Sequence, residues 1–406
     1  MDFDDRPQEA AFRREARAFL ESHAPLKQDR AGAPPMGHDA NSPEEAAHVQ
    51  RSKAWQAVLY DNGWAGITWP TRYGGRGGTV VQQMIFNPEL ARFDVSAGVF
   101  AQGIGMAGPT LIAHGTDEQR ERFLRPMLRG DELWCQLFSE PSAGSDLAAL
   151  ATRAEHDGDE FVVNGEKVWT SSAHYSDWGI LLARTNVDVP KHRGITYFLV
   201  DMKSPGIDVR PLRQITGAAH FNEVFLTDVR IPAVNVVGAV DAGWNVTMTT
   251  LTSERTLIGG GTHDTVSPLL RLAARFGVAG DAVVRQECAH SYVDREVIKL
   301  LGWRVQSAIS RGDQPGPASS VLKLAHTRHI TRVADLGMAI AGASGMLAAR
   351  SDAELHALGT SFLSQFASKI GGGTDEVQRN VVSERVLGLP TEPRVDRDVP
   401  FRDLVR

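Results

Sequence analysis

Three stretches of this chain bring together residue types that can do chemistry. In LFSEPSAGSDLA (137–148), glycine and small side chains let backbone N–H groups approach an anion closely, while Ser139 and Ser145 add hydroxyls. Any three of those residues would make only a turn, but the whole run is harder to dismiss. In KVWTSSAHY (167–175), Trp169 and Ser171 stand two positions apart, so on a strand both side chains share one face and can meet one ligand. A Trp alone in such a strand would be core. In SERTLIGGG (253–261), Glu254 and Arg255 open a helical stretch; taken alone they are an exposed ion pair. His174 and Tyr175 read as a satisfied structural pair. Cys135 and Cys288 lie far apart without metal-ligand spacing, so neither a zinc site nor a disulfide framework is expected.

Together these stretches resemble the acyl-CoA dehydrogenase family. Ser139, Glu140, Pro141, Ala143, Gly144, Ser145 and Asp146 match its S/T-E-P-x-A-G-S-D run. NGEKVWTSSAHYSDW (164–178), FNEVFLTDVRIPAVNVVG (221–238) and GGTDEVQRNVVSERVLGLP (372–390) are similar to later parts of the family, and GWAGITWPTRYGGRGG and PTLIAHGTDEQRERFL to its N-terminal part. The resemblance covers almost the whole chain, in order. It implies FAD as cofactor and removal of two hydrogens from the α and β carbons of an acyl-CoA thioester. Electrons would pass to an electron-transfer flavoprotein. Leu137, Phe138, Ser139, Gly144, Ser145, Trp169, Thr170, Ser171, Thr374 and Glu376 would contact the flavin. Ser145, Thr252, Arg255 and Gly373 would line the substrate.

The resemblance also poses the question of the base. Such a reaction needs a carboxylate to take the α-proton, and many family members place that Glu where this chain has Gly372. Glycine keeps its N–H, so Gly372 is expected to hold the thioester oxygen without supplying a base. The Glu254–Arg255 pair resembles that of isovaleryl- and long-chain members, whose base is the Glu. Glu254 is therefore the candidate base, with Arg255 beside it; Glu376 is a cofactor contact. Two departures stand out. Where several members carry Arg-x-x-Phe-Gly, this chain has AARFGVAG (273–280), with Ala273 at the Arg position and Arg275 as the nearest substitute. A Gly-Gly-x-Gly loop becomes AGASG (341–345). The expected assembly is a homo-oligomer, dimer or tetramer. A flavin-binding subunit of a hetero-oligomer, or a flavin monooxygenase or oxidase on the same fold, are the alternatives. Branched, long and polycyclic acyl chains all remain open.

Helical periodicity over 6–24 and 45–61, a loop over 28–44, a packed turn over 64–79 and more helix over 80–129 lead up to the first stretch. Short β-branched runs then alternate with turn signals, and Asn164-Gly165 reads as a hairpin turn. After Trp244 helical pattern holds to the end, and the charged tail EPRVDRDVPFRDLVR (392–406) reads as solvated surface. The order is α+β: an N-terminal α-helical domain (1–132), a middle β-barrel or β-sandwich domain (133–245) and a C-terminal four-helix-bundle domain (246–406). With 43 basic against 49 acidic residues and a net charge of −6, nucleic acid is not an expected partner. The N-terminus lacks a signal-peptide pattern and no stretch nears the ~20 apolar residues of a membrane span, so a cytoplasmic protein is expected.

Overall fold

The computed structural model describes residues 5–27, 41–95, 98–259, 264–311, 318–347, 352–393 and 396–404; the side chains of 255–259, 310 and 318 lie outside that description. Helices α1 (Pro7–His23), α2 (Pro43–Asp61), α3 (Val80–Leu90), α4 (Gly108–His114) and α5 (Asp117–Arg129) come first. Strands follow: β1 (Trp134–Leu137), β2 (Arg153–Asp157), β3 (Glu160–Ser171), β4 (Trp178–Arg184), β5 (Ile195–Asp201), β6 (Ile207–Leu212) and β7 (Phe221–Pro232). Then come α6 (Gly243–Gly259), α7 (Val266–Arg275), α8 (Ala282–Ser310), α9 (Ala318–Ala341), α10 (Ala353–Ile370) and α11 (Asp375–Val381). The chain groups into two compact units, each drawing on separate stretches of sequence. A helical unit takes Met1–Met36, Thr79–Asp94 and Arg255–Pro390; a sheet unit takes Gly37–Gly78, Val95–Glu254 and Thr391–Arg406.

In the sheet unit the strands run β1-β4-β2-β3-β7-β6, and β5 pairs antiparallel with β4 along its whole length. Their inward residues, among them Cys135, Leu137, Val163, Phe198 and Val224, form one apolar core. The Asn164-Gly165 hairpin does not form. That pair sits inside β3, at a register shift against β7, and the β2–β3 turn falls at Gly158-Asp159 instead. Asn164 is held there by reciprocal bonds with Asp228 at 2.9 and 3.0 Å. Gly165 is needed for space, because a Cβ on it would lie 2.4 Å from the Thr152 hydroxyl. A close backbone approach, not a turn, explains that glycine.

The tail is also different from its sequence reading. Phe401 is 2% exposed, and its N–H donates to Val189 O at 2.9 Å. Its charges had suggested solvent; one aromatic in their midst docks the segment on the sheet unit.

In the helical unit, Arg13 and Arg17 on α1 reach Glu89 of α3, whose carboxylate is almost fully buried. Leu269, Leu272 and Ala273 of α7 pack with Cys288 of α8 and Leu336 and Ile340 of α9. Ala273, which stands at the Arg position of the family's Arg-x-x-Phe-Gly segment, belongs to this core. The loop expected over 28–44 lies largely outside the described residues.

Candidate active site

The 137–148 run is fixed from beneath by a buried ion pair. Lys167 of β3 has no exposed surface, and its Nζ donates to Phe138 O at 3.0 Å and to Glu140 Oε1 at 2.8 Å. Glu140 also accepts the N–H groups of Ala151 (2.6 Å) and Thr152 (2.9 Å), closing the loop at both ends. Val168 N–H donates to Ser139 O at 2.9 Å, continuing the attachment to β3. Neither Lys167 nor Glu140 had been assigned more than a place in a motif. The signal was available, since a Lys inside an apolar β-run must find a carboxylate. Leu137 and Phe138 are core residues. Gly144 and Ser145 are exposed, and a Cβ on Gly144 would meet nothing within 4 Å.

Two residues along β3 the strand bulges between Lys167 and Thr170. Trp169 sits in the bulge at φ 61°, a left-handed conformation uncommon for a large side chain, and is 56% exposed. Its ring meets Phe221 edge-on at 5.9 Å. Thr170 turns inward and is buried, whereas Ser171 is half-buried. A strained, uncovered Trp beside a serine makes an aromatic platform with a polar edge. The hydroxyls of Ser139, Ser145 and Ser171 make no hydrogen bond to another described residue. His174 is only half satisfied: its Nε2 lies 2.9 Å from Glu45 with both side chains buried, while its Nδ1 is buried without a hydrogen-bond partner among the described residues.

Helix α6 carries the candidate base. Its early turns are anchored by threonines: Thr250 meets Thr110 at 2.8 Å and Tyr197 at 3.2 Å, and Thr249 meets His114 at 2.8 Å. Glu254 lies one turn beyond the buried Thr250, on the same face. Its carboxylate is half-buried and accepts a long hydrogen bond from Gln136 Nε2 at 3.5 Å. Gln136, missed in the sequence, sits on β1 between two fully buried core residues and projects away from them. Thr252 donates back to Met248 O at 2.8 Å. The Arg255 side chain lies outside the described residues.

The helical unit holds the second group. Gly372 and Gly373 link α10 to α11 at φ 66° and 84°, the left-handed region that favours glycine. Gln378 Nε2 donates to Gly372 O at 2.9 Å, and Thr374 caps α11 by accepting from Val377 N–H at 3.2 Å. Asp375 anchors the turn through Lys323 at 2.9 Å and Thr327 at 3.0 Å. The Gly372 N–H makes no bond to another described residue. Glu376 is exposed and pairs with Arg379 at 3.0 Å, a surface role. Arg275 is not free for a phosphate, because its guanidinium is engaged by Asp352 and, at 2.7 Å, by Glu354.

Comparison with known proteins places this geometry. Family profiles match in order: "Acyl-CoA dehydrogenase, N-terminal domain" over residues 6–131, "middle domain" over 135–229 and "C-terminal domain" over 241–387. The chain belongs to the acyl-CoA dehydrogenase family. Acyl-CoA dehydrogenase FadE34 of Mycobacterium tuberculosis is 41% identical over 355 residues, 86% of this chain; the chain spans only 48% of that protein. Acyl-CoA dehydrogenase IpdE1 of the same organism is 39% identical over 89% of this chain and 92% of its own length. Among solved structures, the Tcur3481-Tcur3483 steroid ACAD superposes with a TM-score of 0.80 at 30% identity, covering 97% of this chain and all of that one. The ChsE4-ChsE5 complex from M. tuberculosis gives 0.76, also at 30% identity, covering 97% of this chain and all of that one. The fold is thus the family's three-domain one: an N-terminal helical domain, a middle curled sheet and a C-terminal helical domain. Acyl-CoA dehydrogenases are oxidoreductases and FAD-dependent flavoproteins. The sheet unit fits such a group: an uncovered Trp169 ring suits a planar ring system, and three uncommitted serine hydroxyls suit its polar edge and phosphates. Among the described residues no helix is long and apolar enough to cross a membrane, and no cluster of His, Cys, Asp and Glu could hold a metal.

Proposed function

We propose that this chain performs α,β-dehydrogenation of an acyl-CoA thioester to the trans-2-enoyl-CoA, with Glu254 as the base. The observation that carries the reading is the Glu254 carboxylate itself, half-buried on the anchored face of α6 and turned toward Gln136. A thioester α-proton is too weak an acid for a solvated carboxylate, so partial removal from water favours this Glu over the exposed Glu376. Gly372 offers an uncommitted N–H to the thioester oxygen, which accumulates charge as the α-proton leaves. Trp169, Ser171, Ser139 and Ser145 would hold FAD, which when bound supplies the two-electron acceptor. Thr374 and Gly373 remain candidate contacts on the helical side. An electron-transfer flavoprotein is the proposed acceptor of the electrons.

A polycyclic acyl group is the proposed substrate, supported by the neighbour named a steroid ACAD. Position 372, the family's other place for a base, carries no side chain in this chain. Assembly with a second, different chain is favoured over a homo-oligomer by a specific observation. Ala273 is core and Arg275 is engaged by two carboxylates, so neither of these two described positions offers a free cation for a diphosphate. The two neighbours named as pairs of proteins point the same way.

Anaerobic titration of the flavin-loaded protein with a panel of acyl-CoAs, read by bleaching of flavin absorbance, tests the reaction and substrate class together. Glu254→Gln is expected to keep its flavin and lose about a thousandfold in bleaching rate, the middle of the range for a general base. Wild-type bleaching in that variant removes Glu254 from the mechanism.

A further inference from the structure

The C-terminal segment is fastened to the loop that carries Ser145. Pro400 bridges Pro190, Phe401 N–H donates to Val189 O at 2.9 Å, and Arg402 N–H donates to Val187 O at 3.1 Å. The Phe401 ring lies under the Arg184 guanidinium, 3.5 Å from its centroid, and both residues are 2% exposed. Arg184 then donates to Ala148 O (2.6 Å), Leu150 O (3.1 Å) and Lys191 O (3.0 Å). Lys191, itself 13% exposed, donates to Asp146 at 2.7 Å and to Asp396 at 2.6 Å. Asp146 is the residue after Ser145. One end of the 145–150 stretch is therefore held by Lys191 and the other by Arg184, and both cations are braced by 396–404.

We propose that segment 396–404 is part of the cofactor-binding apparatus, acting through the positioning residues Lys191 and Arg184 to hold the Ser145–Asp146 loop in its binding conformation. The proposal rests on the reading of that loop as a flavin-contact element. The mechanism is entropic. Ser145 and Asp146 are exposed in the middle of a stretch that Glu140 closes only at its ends, so without the Lys191 anchor they would sample more conformations, and binding would have to order them. A family motif alone does not supply this anchor; the tail does.

The test uses the full chain, together with any partner that co-purifies, and FAD as the probe. Lys191→Met is expected to weaken FAD, read by recovery of flavin fluorescence on dilution, by about fivefold to tenfold, the value of one anchoring charge pair. Lys191→Arg, which keeps the charge, should stay within about twofold of wild type. Phe401→Leu, which keeps apolar bulk but loses the ring beneath Arg184, should weaken FAD in the same direction. Melting temperature is measured alongside, because a purely structural tail would lower it while leaving the FAD affinity of folded protein unchanged. That pattern overturns the proposal, as does Lys191→Met binding FAD like wild type. If Phe401→Leu does not fold, the Lys191 pair decides alone. A wild-type chain that takes up no FAD overturns the functional reading and this inference with it.

Discussion

Replacing Lys167 by Met removes the cation paired with Glu140 beneath the 137–148 loop, and its cost follows from burial. Lys167 is 0% exposed and the Glu140 side chain 5% exposed. Without the ammonium, Glu140 keeps two backbone N–H donors but becomes a buried anion with no counter-charge. Breaking a buried pair from one side costs about 3–5 kcal/mol, against about 0–1 kcal/mol for an exposed pair. Arg230–Asp157, with both side chains more than half exposed, is the internal comparison. Urea unfolding at neutral pH should therefore place Lys167→Met several kcal/mol below wild type and Arg230→Ala within about 1 kcal/mol of it. The double variant Lys167→Met/Glu140→Gln should regain part of the loss, because the orphaned charge is gone. Acid supplies an independent check. Burial pushes the Glu140 carboxyl up, but the Lys167 charge and hydrogen bond, with those from Thr152 and Ala151, bring it below the usual carboxylate range. A lowered folded pKa gives stability that is present above the unfolded value, about 4.3, and is lost as pH falls through the folded one. The gap between wild type and Lys167→Met should accordingly narrow in acid. If Lys167→Met costs no more than Arg230→Ala, the pair is not what fixes the loop.

Gly165→Ala would set a methyl 2.4 Å from the Thr152 hydroxyl and 2.7 Å from its Cα, so a loss of about 2 kcal/mol is expected by thermal or urea unfolding. Glu89 is drawn down to about 2, first by its hydrogen bond to Arg17, then against burial by Arg92 and Arg13. Its contribution is whole above an unfolded value of about 4.3 and disappears as pH drops toward 2, so Glu89→Gln should differ from wild type at pH 6 and converge with it near pH 2. Trp169→Ala removes an exposed ring; stability should change by less than about 0.5 kcal/mol, while FAD affinity, read by flavin fluorescence, falls.

How much of this was legible in the sequence varied with the range of the interaction. Helices α1 and α2 were readable because their apolar spacing and flanking signals are local: Ser42 caps α2 by accepting from Glu45 N–H, as its position before Pro43 suggests. The strands were readable as runs, but the period of two used for Trp169 and Ser171 does not carry through the bulge in which Trp169 takes φ 61°. Asn164-Gly165 was misread because the same dipeptide serves a tight turn and a crowded bulge, and only Thr152, just before β2, distinguishes them. The tail was misread because eight charges outnumber one Phe in composition, yet it is Phe401 that finds a buried partner. Ala273 and Arg275 could be flagged as departures from a pattern. Their consequence, a core alanine and a neutralised arginine, depends on Leu336, Asp352 and Glu354, far along the chain.

The two loops that carry candidate site residues are built by one device, repeated in each unit. In the sheet unit a fully buried Lys167 binds a main-chain carbonyl, Phe138 O, and a carboxylate, Glu140, that itself ties loop backbone. In the helical unit a fully buried Lys323 binds a main-chain carbonyl, Lys369 O at 3.3 Å, and a carboxylate, Asp375, beside the Gly372–Thr374 turn. Apolar packing of equal volume would stabilise at least as well, because two charges must be stripped of water to form such a pair. What an ion pair adds is directional. A Lys placed between a carbonyl and a carboxylate accepts one backbone path, whereas a methyl-lined contact tolerates several. Glycine-rich and serine-rich loops need that constraint most, since their own side chains limit the backbone least. The charges are therefore best understood as specifying loop conformation rather than adding net stability, which is why each stands directly behind the residues proposed to bind the cofactor and the thioester.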